Sequence, residues 1–167
     1  MNTPSLLDAL RVVVENERLA SSSYAEAAQM MNNPGAKILF ENLAKFENFH
    51  FEQLSILESS LVETGIFVSY DGKEFPTPPV FEIKAAQEPK MKSIMKIISE
   101  AMELEKEAEQ EYADLALKTD DPQGYEMFRR LSAEENLHWR ILLDAYWTLT
   151  NLGTWTWTTP KKSLFSI

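Results

Sequence analysis

The sequence predicts an all-α protein, an antiparallel four-helix bundle with a long crossover between its second and third helices. Three observations support this prediction. Apolar residues recur at helical spacing along four segments, a proline-rich stretch interrupts the pattern near the middle of the 167-residue chain, and the two halves of the chain repeat each other. A chain of this length can bury one apolar core without covalent cross-links.

Each half of the chain carries two predicted helices. They form the helix pairs 4–64 and 89–149. Three of the four helices are expected to begin with a cap residue followed by proline, whose missing N–H is harmless in a first turn. These caps are Thr3–Pro4, Asn33–Pro34 and Asp121–Pro122.

The segment between the helix pairs, residues 65–88, breaks the helical pattern. Tyr70–Lys73 reads Tyr-Asp-Gly-Lys and indicates a turn, and prolines at positions 76, 78 and 79 exclude a continuous helix. A connection of this length suits a crossover that runs along a bundle. Residues 1–150 are therefore expected to form one domain, and the apolar but aperiodic tail 151–167 to pack on the bundle or on a second subunit.

The internal repeat is the strongest signal in the sequence. The halves align without a gap at an offset of 88 residues, the separation of Glu17 from Glu105. This offset superposes Glu17, Tyr24, Asn33, Pro34, Phe40, Leu43, Glu47, Asn48, His50 and Leu54 on Glu105, Tyr112, Asp121, Pro122, Phe128, Leu131, Glu135, Asn136, His138 and Leu142. A duplication retained for packing alone is the alternative interpretation, but packing does not require charged residues on buried stripes.

The repeated charged residues have the pattern of a metal site. Glutamate and histidine three residues apart project from one helix face, and two such turns plus one Glu from each other helix form the ligand set of di-iron and dimanganese bundles. Because the chain contains no cysteine, any metal must be bound by nitrogen and oxygen. The predicted metal ligands, which are also the predicted catalytic residues, are Glu17, Glu47, His50, Glu105, Glu135 and His138.

Charge balance supports the same interpretation. Four buried carboxylates without partners would each be costly or would take up protons. Two divalent cations balance the four negative charges, and neutral imidazoles complete the coordination without adding charge. We expect the glutamate of each Glu-x-x-His pair to bridge the metals, with Glu17 and Glu105 as terminal ligands.

Three neighbouring residues have less specific patterns. Tyr24 and Tyr112 each lie seven residues, about two turns, beyond a lone glutamate. They either fill the core or donate hydrogen bonds to metal-binding carboxylates. Glu134 precedes Glu135, but its repeat counterpart is Phe46, so we interpret Glu134 as a solvated neighbour of the site.

Composition excludes several classes of function. The formal net charge of -10 opposes binding to a phosphate backbone, so no nucleic-acid partner is expected. No stretch approaches the ~18 apolar residues of a membrane span, and the first residues do not read as a signal peptide. No membrane association is expected, and the predicted location is cytoplasmic.

At these residues the sequence resembles the rubrerythrin branch of the ferritin-like superfamily. The repeated signature of that family is Glu, six residues, Tyr, and a later Glu-x-x-His, and it covers residues 4 to about 149 here. The resemblance implies a ferritin-like antiparallel bundle with a non-haem di-iron centre, often dimeric. It also implies reduction of hydrogen peroxide or reaction of ferrous iron with oxygen.

Two departures from the family pattern affect this expectation. Rubrerythrins carry a cysteine-based rubredoxin domain, whereas this sequence has no cysteine, so an external electron donor such as a rubredoxin-type carrier is expected. The family also has an additional glutamate three residues after the lone ligand of the third helix, where this chain has Ala108. Glu109 lies nearby but should point about 40° past the expected direction.

The leading expectation is therefore a redox enzyme of the peroxidase or ferroxidase type, a homodimer with two Fe ions per chain. Iron binding or storage, dimanganese catalase chemistry and hydroxylation of an organic substrate are the alternatives, because ligand spacing does not select iron over manganese. A metal-free structural bundle is a further alternative.

Overall fold

The computed structural model describes residues 5–32, 34–76 and 91–151. Four α-helices account for most of them, and no strand occurs in these ranges. The helices are α1 (Leu6–Met30), α2 (Pro34–Glu63), α3 (Met91–Leu117) and α4 (Pro122–Asn151). The predicted all-α four-helix bundle is confirmed.

The helix starts show how local sequence determines the boundaries. Ser5 caps α1 by accepting a 3.2 Å hydrogen bond from the Asp8 N–H, and its hydroxyl donates to the Asp8 carboxylate at 2.6 Å. The helix begins at Leu6, because the serine oxygen satisfies a free backbone donor of the first turn. The predicted cap residues Thr3 and Asn33 lie outside the described residues. At α4, Asp121 Oδ1 accepts from the Gln123 and Gly124 N–H groups, as predicted.

The helices pair as two hairpins. α1 packs along α2 and α3 along α4, whereas α1 and α3 approach each other at fewer points. Short connections join the helices within each hairpin, so the members of a hairpin run antiparallel. The crossover between the hairpins begins after Glu63, and the part of it in residues 77–90, with most of the predicted prolines, lies outside the described residues.

The apolar core has two parts, one on each side of a buried polar layer. One cluster contains Phe40 and Leu142, and the other contains Leu54 and Phe128. Because the repeat offset exchanges these residues between clusters, the two hairpins are related by an approximate two-fold axis through the polar layer. The predicted tail lies outside the described residues beyond position 151. No described helix has the length and apolar character needed to cross a membrane.

Candidate metal centre

All six predicted ligands meet in the polar layer between the two core clusters. Each comes from the middle of its helix, and none is more than 4% exposed. The helical period explains this meeting, since Glu47 and His50 are less than one turn apart on α2, as Glu135 and His138 are on α4. The structure therefore brings together every residue that the repeat singled out as a ligand.

The six residues form two overlapping groups that could each hold a metal ion. Within each group the ligand atoms all lie within 4.8 Å of one another. The first group is Glu17, Glu47, His50 and Glu135, and the second is Glu47, Glu105, Glu135 and His138. Glu47 and Glu135 belong to both groups, so a carboxylate from each Glu-x-x-His pair is placed between the two positions.

Both histidines direct Nδ1 toward the carboxylates. His50 Nδ1 lies 2.9 Å from Glu135 Oε1 and 3.1 Å from Glu47 Oε2. His138 Nδ1 lies 3.1 Å from both Glu47 Oε1 and Glu135 Oε2, and 3.3 Å from Glu105 Oε2. Nδ1 is therefore the nitrogen that each imidazole presents to a metal.

Two tyrosines join the hairpins at the lone glutamates. The Tyr24 hydroxyl on α1 donates a hydrogen bond to Glu105 on α3, and the Tyr112 hydroxyl on α3 donates to Glu17 on α1. Both rings are buried. Of the two interpretations left open by the sequence, the hydrogen bond to a ligand carboxylate is the observed one, and each tyrosine reaches the glutamate of the opposite helix.

The two lone glutamates ionise less readily than exposed carboxyl groups, because their pKa is raised. Burial raises the pKa of Glu17 well above its ordinary value, and the negative charges of Glu135 and Glu47 raise it further. Burial likewise raises the pKa of Glu105, and the charge of Glu47 adds to the effect. Both lone carboxyl groups therefore hold a proton more strongly than they would in water.

The pKa of the shared glutamates is shifted in the opposite direction, because these carboxylates lie against the two imidazoles. Burial opposes their ionisation, but the positive charges of His138 and His50 hold the pKa of Glu47 and of Glu135 below the ordinary value. Burial opposes protonation of the histidines, and the surrounding carboxylates nevertheless raise the pKa of His50 and of His138 well above the ordinary value. The histidines and the lone glutamates are thus favoured to hold protons and the shared glutamates to release them, which limits the net charge that the layer buries.

Glu134 corrects one sequence interpretation. It is not a solvated neighbour, because its side chain is only 12% exposed and Oε2 lies 2.9 Å from His50 Nε2. The Tyr70 hydroxyl donates to the same carboxylate, as does the Lys73 N–H at 3.4 Å. Sequence reasoning missed this contact, although Glu134 lies four residues before His138 and thus faces the same side of α4.

The outer nitrogen of His138 has a different environment. The Phe46 ring meets the imidazole edge to face at 4.8 Å between centroids, and Phe75 lies 5.5 Å away. Nε2 of His138 is buried without a hydrogen-bond partner among the described residues. Phe46 occupies the position that the repeat offset equates with Glu134, so the two-fold relationship is broken behind the histidines.

A cavity of about 210 Å³ reaches the site between α1 and α3. It touches all four predicted ligand carboxylates and neither histidine, so it approaches the site from the side opposite the described crossover residues Tyr70 and Lys73. Ala20 and Ala108, which the repeat offset also equates, line it with small side chains. Glu107 and Glu111 give its outer part an acidic character.

Glu109 does not substitute for the glutamate that Ala108 replaces. Its carboxylate accepts hydrogen bonds from Lys106 at 2.6 Å and from Asn136 on α4 at 3.0 Å. These contacts hold it away from the cavity, as the helical angle predicts.

The donor set fits divalent transition-metal ions. Buried oxygen and imidazole donors without thiolates suit iron, manganese or zinc, and the shared carboxylates suit two adjacent ions rather than one. Glu47 Oε1 and Glu135 Oε1 are buried and accept no well-aligned hydrogen bond among the described residues, although His138 Nδ1 lies 3.1 Å from the first and His50 Nδ1 lies 2.9 Å from the second. Each of these oxygens thus lies beside an imidazole nitrogen with which it could share a cation. The site could therefore hold metal ions, while its geometry does not distinguish among them.

Comparisons with known proteins support the fold. No protein family model matches the chain, and no curated protein is significantly similar to it. Among solved structures, the chain is similar to a protein from Pyrococcus furiosus that is described only as hypothetical. The two share 23% sequence identity over 89% of this chain and 92% of that one, with a TM-score of 0.70. At this level of identity the likeness concerns the fold alone.

Proposed function

We propose that this protein is a rubrerythrin-like di-iron oxidoreductase that reduces hydrogen peroxide or reacts with oxygen, using an external electron donor. The observation that carries the proposal is the buried pair of four-residue groups that share Glu47 and Glu135. When bound there, two iron ions would supply the two electrons that reduction of a peroxide bond requires. Glu17 and His50 would complete one iron position, and Glu105 and His138 the other.

The protein's own residues contribute positioning and exclusion of water. Tyr24 and Tyr112 orient the terminal carboxylates through hydrogen bonds across the bundle. The apolar clusters above and below the layer keep bulk water from the ligands and strengthen electrostatic interactions inside it. These features favour a preorganised metal site over a metal-free structural bundle, for which buried carboxylates would be a cost.

The cavity between α1 and α3 supports a small oxidant as the reactant. It ends at the four predicted ligand carboxylates, and its volume of about 210 Å³ is ample for a molecule of few atoms. Because Ala20 and Ala108 line it, a small reactant can reach the ligand layer without displacing a large side chain. The histidine side is covered by Phe46 and Phe75, so the cavity is the proposed access route.

Iron oxidation coupled to iron binding is a second candidate function. The acidic residues that line the cavity, Glu107 and Glu111 with the ligand glutamates, would attract cations toward the site. This candidate predicts uptake of iron beyond two ions per chain.

The homodimer and the cytoplasmic location expected from the sequence remain part of the proposal. The mass of the purified protein in solution tests whether it is a homodimer.

Metal analysis followed by anaerobic ferrous titration tests the proposed function. The absorption spectrum is recorded after addition of either peroxide or air. Two irons per chain and an oxo-bridged diferric spectrum that forms faster with peroxide would support the peroxidase, whereas faster oxidation by air would support the oxidase or ferroxidase. Protein that binds manganese alone, or no stoichiometric metal, would refute the di-iron proposal.

A further inference from the structure

The two histidines have opposite surroundings on their outer side, away from the ligand carboxylates. His50 Nε2 lies 2.9 Å from a carboxylate oxygen of Glu134. His138 Nε2 is equally buried but meets aromatic rings and has no hydrogen-bond partner among the described residues. The four predicted ligand carboxylates are related by the internal repeat. The two positions therefore differ in the residues that contact Nε2 of each histidine.

We infer that the two metal positions are inequivalent, and that the position containing His50 binds its ion more tightly than the position containing His138. This inference rests on the proposed dinuclear site. It concerns which position fills first, a property that neither the ligand set nor the repeat predicts, because both are symmetric.

The first reason is control of the imidazole tautomer. A histidine that binds metal through Nδ1 must carry its proton on Nε2, and a carboxylate that accepts this proton fixes both the tautomer and the ring orientation. Glu134 is placed to accept from His50 in this way. His138 must instead bury an Nε2–H group against Phe46 and Phe75, where no described acceptor is within reach.

The second reason is donor strength. Hydrogen bonding of Nε2–H to a carboxylate makes the opposite nitrogen a better electron donor, and loss of such a partner typically lowers metal affinity by about 10- to 100-fold. Glu134 also adds negative charge on the His50 side. Arg130 offsets this charge only in part, because its Nε lies 3.6 Å from Glu134 Oε1 and its side chain is 53% exposed.

The third reason is that Glu134 is itself held in place. The Tyr70 hydroxyl and the Lys73 N–H both donate to its carboxylate. Gly72 passes so close that a Cβ there would meet the side chains of Arg130 and Glu134. The crossover therefore fixes Glu134 against His50, and a positioned acceptor loses less conformational freedom when the metal binds than a mobile one.

Zinc titration of histidine-labelled protein tests this inference. The chain contains only two histidines, so ¹⁵N-labelled imidazoles give two assignable sets of nitrogen signals, and a His138→Gln variant identifies them. Zinc is diamagnetic and takes imidazole and carboxylate ligands. At less than one equivalent of zinc, the Nδ1 signal of His50 should shift first, with an occupancy preference of about 10-fold or more over His138.

Variants test whether Glu134 causes the preference of zinc for the His50 position. Glu134→Ala should abolish it, Glu134→Gln should retain part of it through the amide oxygen, and Tyr70→Phe should weaken it while leaving the acceptor in place. Glu126→Ala, an exposed residue of the same helix, is the matched control and should change nothing. Parallel filling of both positions, or earlier filling of the His138 position, in the unmodified protein would overturn the inference while leaving the dinuclear site intact. Absence of zinc at both histidines would overturn the inference together with the proposed site.

Discussion

The Tyr112 hydroxyl on α3 donates a hydrogen bond to the Glu17 carboxyl group on α1, and the repeat-related Tyr24 makes the same bond to Glu105 in the opposite direction. This reciprocal pair requires α1 and α3 to run antiparallel, because the lower-numbered residue of one helix meets the higher-numbered residue of the other. The tyrosines thus connect the two hairpins through α1 and α3, the pair of helices from different hairpins that approach each other most closely.

Removal of one of these hydroxyls should weaken both the fold and the metal site. Tyr112→Phe leaves a buried oxygen of Glu17 without its donor, so we expect a loss of about 1–2 kcal/mol in the free energy of unfolding. Metal affinity should fall by about 10-fold, because the carboxylate loses its orientation. Urea unfolding with and without metal measures both effects. Tyr125→Phe, at a 41% exposed tyrosine, should have neither effect, and equal behaviour of the two variants would contradict the prediction.

Removal of a shared glutamate should release more metal than removal of a terminal glutamate. Glu47→Ala deletes a ligand of both groups, so binding of the metal pair should be lost. Glu17→Ala deletes a ligand of one group only, and one ion should be retained. Iron content per chain after dialysis measures the difference. Glu52→Ala on the exposed face of α2 is the control, and two bound ions in Glu47→Ala would exclude Glu47 as a shared ligand.

The metal-free protein should lose stability as pH rises above neutrality. The pKa of Glu17, Glu105, His50 and His138 is raised on folding, so these groups bind more protons in the folded chain than in the unfolded one. Their contribution is complete below the unfolded pKa of each group and is lost as pH rises through its folded pKa. Each excess proton lowers the free energy of unfolding by about 1.4 kcal/mol per pH unit.

Thermal unfolding between about pH 7 and about pH 9 checks this dependence. If two divalent ions displace one proton from each of these four groups, the net charge of the layer does not change. Metal-loaded protein should therefore show a flatter profile and should release protons on loading, which calorimetry in buffers of different ionisation enthalpy detects. A metal-free profile that rises with pH over this window would contradict the raised pKa of these four groups.

A larger side chain in the cavity should slow oxidation without displacing metal. Ala20→Leu fills space between α1 and α3 but adds no polar group to the ligand layer. We expect unchanged iron content and a rate of oxidation by peroxide that falls by about 10-fold, an effect of about 1.4 kcal/mol on the barrier. Stopped-flow absorption measures the rate. Ala25→Leu, at an exposed position on the same helix, is the control, and an unaltered rate in Ala20→Leu would place the access route elsewhere.

Two glycines of the crossover allow the effect of its contact with Glu134 to be separated from the effect of backbone strain. Gly72 and Gly65 have nearly equal positive φ angles, 71° and 70°, so alanine costs about 1 kcal/mol at either position. A Cβ at Gly65 meets nothing within 4 Å, whereas one at Gly72 meets Arg130 and Glu134. Gly72→Ala should therefore be the more destabilising change in chemical denaturation, and equal losses would contradict the close approach of the crossover to Glu134.

The residues of the polar layer could be predicted from the sequence, because the spacings that place them together are short and occur in both halves of the chain. Helical spacing places Glu47 beside His50 and Glu135 beside His138, and the offset identifies Glu17 and Glu105 as partners. Burial of these residues in apolar stripes then requires them to meet. The same argument predicted that Glu109 would miss the site, and its hydrogen bonds to Lys106 and Asn136 agree with that.

The residues behind the histidines could not be predicted in this way. Tyr70 belongs to the crossover, which has no repeat counterpart, and its contact with Glu134 spans 64 positions. Comparison with Phe46 was misleading, because a departure from the repeat was interpreted as a lack of function. The cap at Ser5 was not predicted for a smaller reason, since serine and threonine are both good cap residues and the sequence offers one of each before Leu6.

The difference between Glu134 and Phe46 has a consequence for the ancestry of such a chain. Two identical hairpins that associate as separate molecules could form the same ligand layer, but every substitution in them would appear twice. A carboxylate behind one histidine would then always be accompanied by a carboxylate behind the other. Only after the copies are joined in one polypeptide can the two positions diverge, so the covalent linkage makes available a specialisation that a symmetric assembly cannot reach.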